Sequence, residues 1–207
     1  SDNFVFLNKD LNNQKSIEEL NEYKISTIYH MAARAGVRDS FLDPKSYITD
    51  NTNVTLNVSN YCKSNDVNEL IIASTSSIYG DSGENLMIED KDEKINPPSV
   101  YATTKLAGES LSKNILENSK TNLIIARFFT VYGPFGRPDM SILRFIHWII
   151  NEEPVQIFGD GDQERSFTYI DDVISALKKM RGLNVSNTFN VGSDTTVSLN
   201  DIIKIIE

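Results

Sequence analysis

Leu70-Ile71-Ile72-Ala73-Ser74-Thr75-Ser76-Ser77 runs from apolar side chains into four hydroxyls, and Tyr101-Ala102-Thr103-Thr104-Lys105 follows downstream. The first stretch reads as a buried strand whose C-terminal end carries hydroxyls, the place where open α/β sheets hold ligands. The second reads as the first turns of a helix, because Pro97-Pro98 stands just ahead of it and a Tyr79-Gly80 turn closes the strand end. Tyr and Lys four residues apart lie on one helical face, about one turn apart. A cation there favours the phenolate, so the phenol can act as a base well below its usual pKa of about 10. Hydroxyl, phenol and ammonium together form a device that moves a proton on and off a sugar or alcohol hydroxyl.

Outward from this pair, strand and helix signals alternate, which predicts a parallel sheet covered on both faces. Phe4-Val5-Phe6-Leu7 reads as a strand, and Ser16-x-x-Glu19 as a capping box opening a short helix. Thr27-Ile28-Tyr29-His30 is a strand ending in an Ala-Ala turn. A helix is expected from Pro44 to about Lys63 with Leu56 and Val58 inward, a strand over Glu69 to Ser74, and a long helix from about Val100 to Asn118. Leu123 to Arg127 is the next strand. The breaker-rich run Gly133-Pro134-Phe135-Gly136-Arg137-Pro138 marks a domain boundary, with a partial dinucleotide-binding domain over 1–134 and a mixed, partly substrate-binding region over 135–207. Beyond it a helix is predicted from Met140 to Asn151, a short strand over Val155 to Phe158, a helix over Tyr169 to Met180, a strand over Thr188 to Val191, and a helix starting near Ser198.

The 207 residues carry a formal charge of −9 and a sequence pI near 4.8, which argues against a general binder of nucleic acid or anionic membrane. Cys62 is alone, so the sequence offers no intrachain disulfide and no cysteine-based metal site; His30 and His147 make no metal-ligand pair at helical spacing. No apolar run reaches membrane-spanning length and no signal peptide is visible, so a cytoplasmic protein is expected.

Seven segments carry a joint resemblance. They are Asp10-Leu11, His30-Met-Ala-Ala33, Ser74-Thr-Ser-Ser-Ile-Tyr-Gly80, Tyr101-x-x-x-Lys105, Arg127-Phe-Phe-Thr-Val-Tyr-Gly-Pro134, Gly159-Asp-Gly161 and Arg165-Ser-Phe-Thr-Tyr-Ile-Asp-Asp172. In order and spacing, across nearly the whole chain, the sequence resembles the extended short-chain dehydrogenase/reductases, the NAD-dependent nucleotide-sugar epimerases and dehydratases. The resemblance implies a Rossmann-like doubly wound parallel sheet, NAD as cofactor and a UDP-sugar as substrate.

Residue by residue, it implies that Thr75 hydrogen-bonds the sugar O4, that Tyr101 is the general base and acid at that hydroxyl, and that Lys105 tunes Tyr101 and holds the nicotinamide ribose. Asp10 and Leu11 correspond to the adenine pair, although Asp10 also reads as a turn cap. Met31, Ala32, Ala33, Arg34 and Ala35 form the turn beside the ribose and pyrophosphate, with Ser74 and Asp50 near the cofactor. Of Phe128 and Phe129, one is expected near the nicotinamide and the other in the core. Thr130 and Arg137 are assigned to a C6 carboxylate, for which an arginine and a hydroxyl supply charge-assisted donors; Arg137 also reads as a loop arginine pairing with a surface acid. Ser76 and Arg38 are further sugar contacts, Gln156 and Phe158 flank the uracil, and Arg165 grips the diphosphate, with Ser166 where the family more often has Asp. His30 reads as a packed strand-end residue, and no metal is expected.

The shared chemistry is oxidation of the sugar at C4. Family dehydratases place Asp-Glu directly after the catalytic Thr; here Ser76 and Ser77 stand there, and a hydroxyl with a pKa far above 7 cannot replace a carboxylate. Gly136-Arg137-Pro138-Asp139-Met140 and Ala35-Gly36-Val37-Arg38 resemble the UDP-glucuronate 4-epimerase branch. Epimerisation without elimination is therefore expected, with a neutral UDP-hexose epimerase or an inactive piece of such an enzyme as the alternatives. No G-x-x-G-x-x-G loop is present, which reads as an internal piece of a longer chain that binds NAD poorly by itself. Family members commonly pair as homodimers through a four-helix bundle, here helices 44–63 and 101–118.

Overall fold

The computed structural model describes residues 3–80, 87–89 and 95–207. Contacts group these into two compact units, Ser1–Arg127 with Met180–Phe189, and Phe128–Lys179 with Asn190–Glu207.

In chain order the first unit comprises α1 (Gln14–Glu18), β1 (Thr27–His30), α2 (Asp39–Leu42), α3 (Pro44–Tyr47), a π-helical turn (Ile48–Asn53), α4 (Val54–Ser64), β2 (Glu69–Thr75), α5 (Val100–Leu116) and β3 (Asn122–Phe128). The second is built from β4 (Thr130–Tyr132), α6 (Ser141–Ile150), β5 (Glu164–Arg165), β6 (Phe167–Tyr169) and α7 (Ile170–Met180); β7 (Asn187–Val191) returns to the main sheet, and β8 (Val197–Ser198) and α8 (Leu199–Ile206) follow.

The main sheet is parallel, in the order β1-β2-β3-β7. Residues 27–30 of β1 stand opposite 69–72 of β2, Thr27 on Glu69 through His30 on Ile72. Strands buried on both faces need continuous apolar runs, and β2 and β3 supply them. Leu70, Ile72, Leu123 and Ile125, at period two, share a core with Val54, Val58 and Cys62 of α4. Each such buried aliphatic side chain contributes about 1.5–3 kcal/mol. Helices α4 and α5 approach closely because their facing residues are small. A Cβ on Gly108 would touch Thr55 at 3.3 Å, and the Ser59 and Ser112 hydroxyls bond at 2.9 Å in the interior.

Four expectations need correction. Phe4–Leu7 is not a strand: it joins no ladder, and Phe4 and Phe6 are 75% and 77% exposed. An extended apolar run becomes a strand only where a neighbour takes its hydrogen bonds. The first helix is capped by Asn13, whose side chain accepts from Lys15 N at 3.0 Å, while Ser16 is buried inside the helix. The helix expected over 44–63 is interrupted by the π-helical turn at Ile48–Asn53. Val155–Phe158 forms no ladder either. The short ladders β4–β6 and β5–β8 were not anticipated; β4 pairs parallel to β6 with Thr130 opposite Phe167, and β5 antiparallel to β8.

Two glycines give a paired test. Gly80 (φ +67°) and Gly182 (φ +81°) both sit in the left-handed region, but a Cβ on Gly80 would run into the Asn96 carbonyl oxygen, whereas Gly182 has open space around it. Gly182→Ala should cost about 1 kcal/mol from conformation alone, and Gly80→Ala at least about 1 kcal/mol more from the backbone collision. Urea unfolding midpoints of the two variants check this; equal losses would contradict it.

Candidate active site

Strand β2 ends on Thr75, which is 7% exposed, and the chain turns into a 3-10 segment over Ser76–Tyr79. The Thr75 hydroxyl accepts from Ser77 N at 3.2 Å and donates to Ser77 Oγ at 3.1 Å, so it caps the turn it stands on. Ser76 is half-buried beside it. Ser74 points the other way: its hydroxyl donates to the Glu109 carboxylate in the interior.

Helix α5 starts where Pro97-Pro98 predicts, with Ser99 as N-cap accepting from Ala102 N at 3.1 Å. Tyr101 lies in its first turn, half-buried, where the positive end of the helix dipole adds to a cation in favouring a phenolate. Lys105, one turn on, is 8% exposed. Burial pulls its ammonium down to about 8, and the Glu109 carboxylate opposes that fall. The lysine therefore stays mostly cationic at neutral pH.

The Met31–Ala35 turn is exposed and tied to α5 by two buried side chains. Asn51 Oδ1 accepts from Arg34 N at 2.7 Å, and its Nδ2 donates to Arg34 O at 3.0 Å and to Thr104 Oγ1 at 3.1 Å. Thr104 Oγ1 in turn donates to the Tyr101 carbonyl at 2.8 Å. Tyr47 donates its hydroxyl to Ala35 O at 2.9 Å and meets the Tyr101 ring edge-on at 6.4 Å. Asn51 reaches inward from the π-helical turn, a local widening often found at functional sites. Asp50, its neighbour, accepts from Arg34 Nε at 2.8 Å and from Asn12 Nδ2 at 3.3 Å. Asp10 closes its own turn by accepting from Asn12 N at 2.9 Å, and Leu11 packs on the core. The residues assigned to one cofactor are thus linked in one unit: 10–11 through Asn12 to Asp50 and Arg34, and Arg34 through Asn51 to α5. A cavity of about 120 Å³ among Leu11, His30, Met31 and Ala32 lies in the same region. It is smaller than a typical ligand pocket of roughly 300 Å³ or more.

His30 is buried and bonded through Nε2 to Thr55 Oγ1 at 3.0 Å. Thr55 gives its own proton to Asn51 O at 2.6 Å, so Nε2 carries the imidazole hydrogen. Burial first, and the Lys105 charge second, lower its pKa to about 4. It is the neutral packed residue that the sequence indicates.

Sequence reasoning overlooked a buried charge cluster. Arg127 and Glu109 are each 1% exposed and form a fork: Nε to Oε1 at 3.1 Å and Nη2 to Oε2 at 2.7 Å. Arg127 Nη1 donates to the Tyr79 hydroxyl at 2.8 Å. Burial opposes the Arg127 charge, but its bonds to Glu109 and Tyr79 override this and raise its pKa. Spacing alone places Glu109 on the face of Tyr101 and Lys105, four residues beyond the lysine, but does not mark it as buried.

In the second unit, Phe128, Phe129 and Thr130 are half-buried. Phe129 N donates to Val191 O at 3.1 Å, and its ring lies against Gly192, where a Cβ would come within 2.8 Å. Arg137 is exposed and forked onto Asp139, Nε to Oδ1 at 3.0 Å. Gln156 and Phe158 are exposed, with the Arg144 guanidinium 6.0 Å from the Phe158 ring centre and 4.5 Å from that of Trp148. Arg165 is exposed and donates to Glu164 O at 3.0 Å. Ser166, in the place of the family's Asp, exchanges two bonds of 2.9 Å with the backbone of Ser193. Arg38 is exposed at the N-cap of α2, in the first unit.

Residues 2–192 match the NAD dependent epimerase/dehydratase family, and the chain belongs to it. It is 43% identical, over 212 aligned residues, to the UDP-glucuronate 4-epimerase of Thermodesulfobacterium geofontis, covering all of this chain and 64% of that protein. Among solved structures it is similar to the UDP-glucuronic acid 4-epimerase of Bacillus cereus in complex with UDP-glucuronic acid and NAD. That match has a TM-score of 0.86 at 37% identity, over 98% of this chain and 64% of the other. A UDP-glucose 4-epimerase of Thermus thermophilus in complex with NAD aligns with a TM-score of 0.87 at 25% identity, over 96% and 66%. The chain thus spans about two thirds of the length of these relatives.

The His30 shift makes stability depend on pH. Its folded pKa of about 4 lies below the ordinary 6.5, so the unfolded chain takes up the proton first, and stability present above pH 6.5 is lost as pH falls toward 4. Between pH 7 and 5 this removes about 2 kcal/mol. His30→Gln should show a correspondingly shallower loss in urea melts at the two pH values; identical slopes would contradict the assignment.

Proposed function

We propose that the protein acts as an NAD-dependent 4-epimerase converting UDP-glucuronate to UDP-galacturonate. The observation that carries this is the half-exposed Tyr101 one helical turn before the buried, cationic Lys105, on a helix pinned by Asn51 and Tyr47 to the Met31–Ala35 turn. The residues fit a dinucleotide. The turn offers exposed backbone and small Ala32, Ala33 and Ala35 side chains for close approach, with Leu11 and Asp50 alongside. When bound, NAD supplies the hydride acceptor and donor at C4.

Tyr101 takes the proton from the sugar O4 hydroxyl as C4 is oxidised and returns one as the ketone is reduced on its opposite face. Lys105 stabilises the phenolate by charge and offers donors to ribose hydroxyls. Thr75 exchanges its bond to Ser77 for one to O4, with Ser76 as a further sugar contact. Having no carboxylate at Ser76 or Ser77, the chain holds no acid-base pair there to drive elimination. Thr130 and Arg137 take the C6 carboxylate, with Arg137 trading Asp139 for substrate. Arg165 holds the diphosphate, and Gln156 and Phe158 flank the uracil. The proposal includes a cytoplasmic homodimer; among the described residues no helix is long and apolar enough to cross a membrane.

One observation favours a neutral UDP-hexose instead: the Arg137 charge is already matched by Asp139. Full-length protein given UDP-glucuronate and NAD should yield UDP-galacturonate, and Tyr101→Phe should lose roughly 10²–10⁴-fold in kcat. Arg137→Leu should lose about 10–100-fold in kcat/KM on the uronate, the worth of a charge-assisted bond, and little on UDP-glucose. Equal losses on both sugars would favour the neutral substrate, and UDP-xylose as the only product would exclude the epimerase assignment.

A further inference from the structure

Glu109 is a buried carboxylate that the proton transfer itself does not use. It stands two turns along α5 from Tyr101 and one turn from Lys105, and its side chain is 1% exposed. Neighbours four apart on a helix hold their Cβ atoms about 5–6 Å from each other. Its oxygens are occupied: Oε1 accepts from Ser74 Oγ and from Arg127 Nε at 3.1 Å, and Oε2 from Arg127 Nη2 at 2.7 Å. Arg127 is locked in turn by the Tyr79 hydroxyl at 2.8 Å, with its guanidinium 5.1 Å from the centre of that ring. The carboxylate therefore has one position, fixed from β2, β3 and the 3-10 turn.

We propose that Glu109, clamped by Arg127 and Ser74, is the positioning residue that keeps the buried Lys105 ammonium charged and in place for Tyr101.

The alternative is that the Glu109–Arg127 pair is only a strut. A strut would be replaceable by apolar side chains of similar volume, as buried ion pairs often are. The charge balance around Lys105 favours the larger role. The charged and titratable groups that act on it are Glu109 on its own helix and His30 on β1; Tyr101 stands one turn before it, and Arg127 of β3 is paired to the carboxylate and to Tyr79. His30 is neutral above about pH 4 and offers no negative charge. Arg127 is cationic and cannot help. Glu109 is therefore the group in this set that opposes loss of the lysine proton on burial, and Lys105 titrates near 8 with that help.

This inference rests on the catalytic reading of Tyr101 and Lys105, but its test need not. The chain is labelled with 13Cε-lysine, the Lys105 signal is assigned by its loss in Lys105→Arg, and its titration is followed by NMR. In Glu109→Leu/Arg127→Met, which removes both charges and retains bulk, the Lys105 midpoint should fall by about one to two pH units. Glu109→Gln should shift it the same way, and decides the matter if the double variant does not fold. An unmoved midpoint in a folded variant would overturn the proposal, as would an unsubstituted chain whose Lys105 is already half-neutral below pH 7. In the full-length protein the alkaline limb of the kcat profile should shift acid-ward by the same interval, which a mere loss of stability would not produce. Inactivity of the full-length protein on every UDP-sugar would count against the epimerase reading while leaving the lysine titration to decide Glu109.

Discussion

The Arg127–Glu109 pair is the interaction on which the arrangement of β2, α5 and β3 in the first unit depends. Taking a guanidinium and a carboxylate out of water costs several kcal/mol per ion, and the pair recovers that only if the geometry is good and the spare donors are satisfied. Both conditions are met: the fork is bidentate, Tyr79 takes the outward nitrogen, and Ser74 adds a hydroxyl to the carboxylate. The consequence is orientation more than stability. The end of β2, the turn after it, helix α5 and strand β3 each supply one member, so none can shift without leaving a buried charge unmatched. Thr75 follows Ser74 directly, and Lys105 precedes Glu109 by one turn, so both inherit their positions from this clamp.

A second constraint works from the neighbouring face of α5, one residue round the helix from Glu109. Small residues at Gly108, Thr55, Ser59 and Ser112 let α4 and α5 approach closely. That closeness brings Asn51 within reach of both Thr104 and the Arg34 backbone. Asn51 lies within the π-helical turn, and its inward packing goes with that local widening of the helix. A backbone amide and carbonyl satisfied by one side-chain amide fix the Ala-rich turn while its other face stays exposed.

What was legible in the sequence follows from how each signal is encoded. Strands β2 and β3 announce themselves as continuous apolar runs, and the start of α5 as two prolines before a serine cap. That Tyr101 and Lys105 share one helical face was legible because helical spacing is a local property. Glu109 lies on the same spacing, yet nothing local distinguishes it from a solvated carboxylate; its interior partners, Arg127 of β3 and Ser74 of β2, come from elsewhere in the chain. The ladders β5 and β8 have two residues each, too few for a period of two to register. Phe4–Leu7 and Val155–Phe158 have strand-like composition without a strand beside them, and pairing is a tertiary fact. The π-helical turn has no compositional mark: its cause is the packing of Asn51, which the sequence separates by 53 positions from Thr104.

Burial sets two demands on Lys105 that pull against each other. A low-dielectric setting strengthens the field of the ammonium at the Tyr101 oxygen, which on the proposed mechanism is what favours the phenolate. The same setting favours the neutral amine, which would abolish that field. The surrounding residues settle the conflict by division of labour. His30 stays uncharged and adds no second cation, while Glu109 contributes an anion that its own partners prevent from closing onto the lysine. A carboxylate free to swing into a direct ion pair would draw the ammonium toward itself; one held by Arg127 supports the charge from a fixed position. On the proposed catalytic reading of Lys105, the clamp gives the buried pair one turn away a role that an apolar contact of the same volume would not fill.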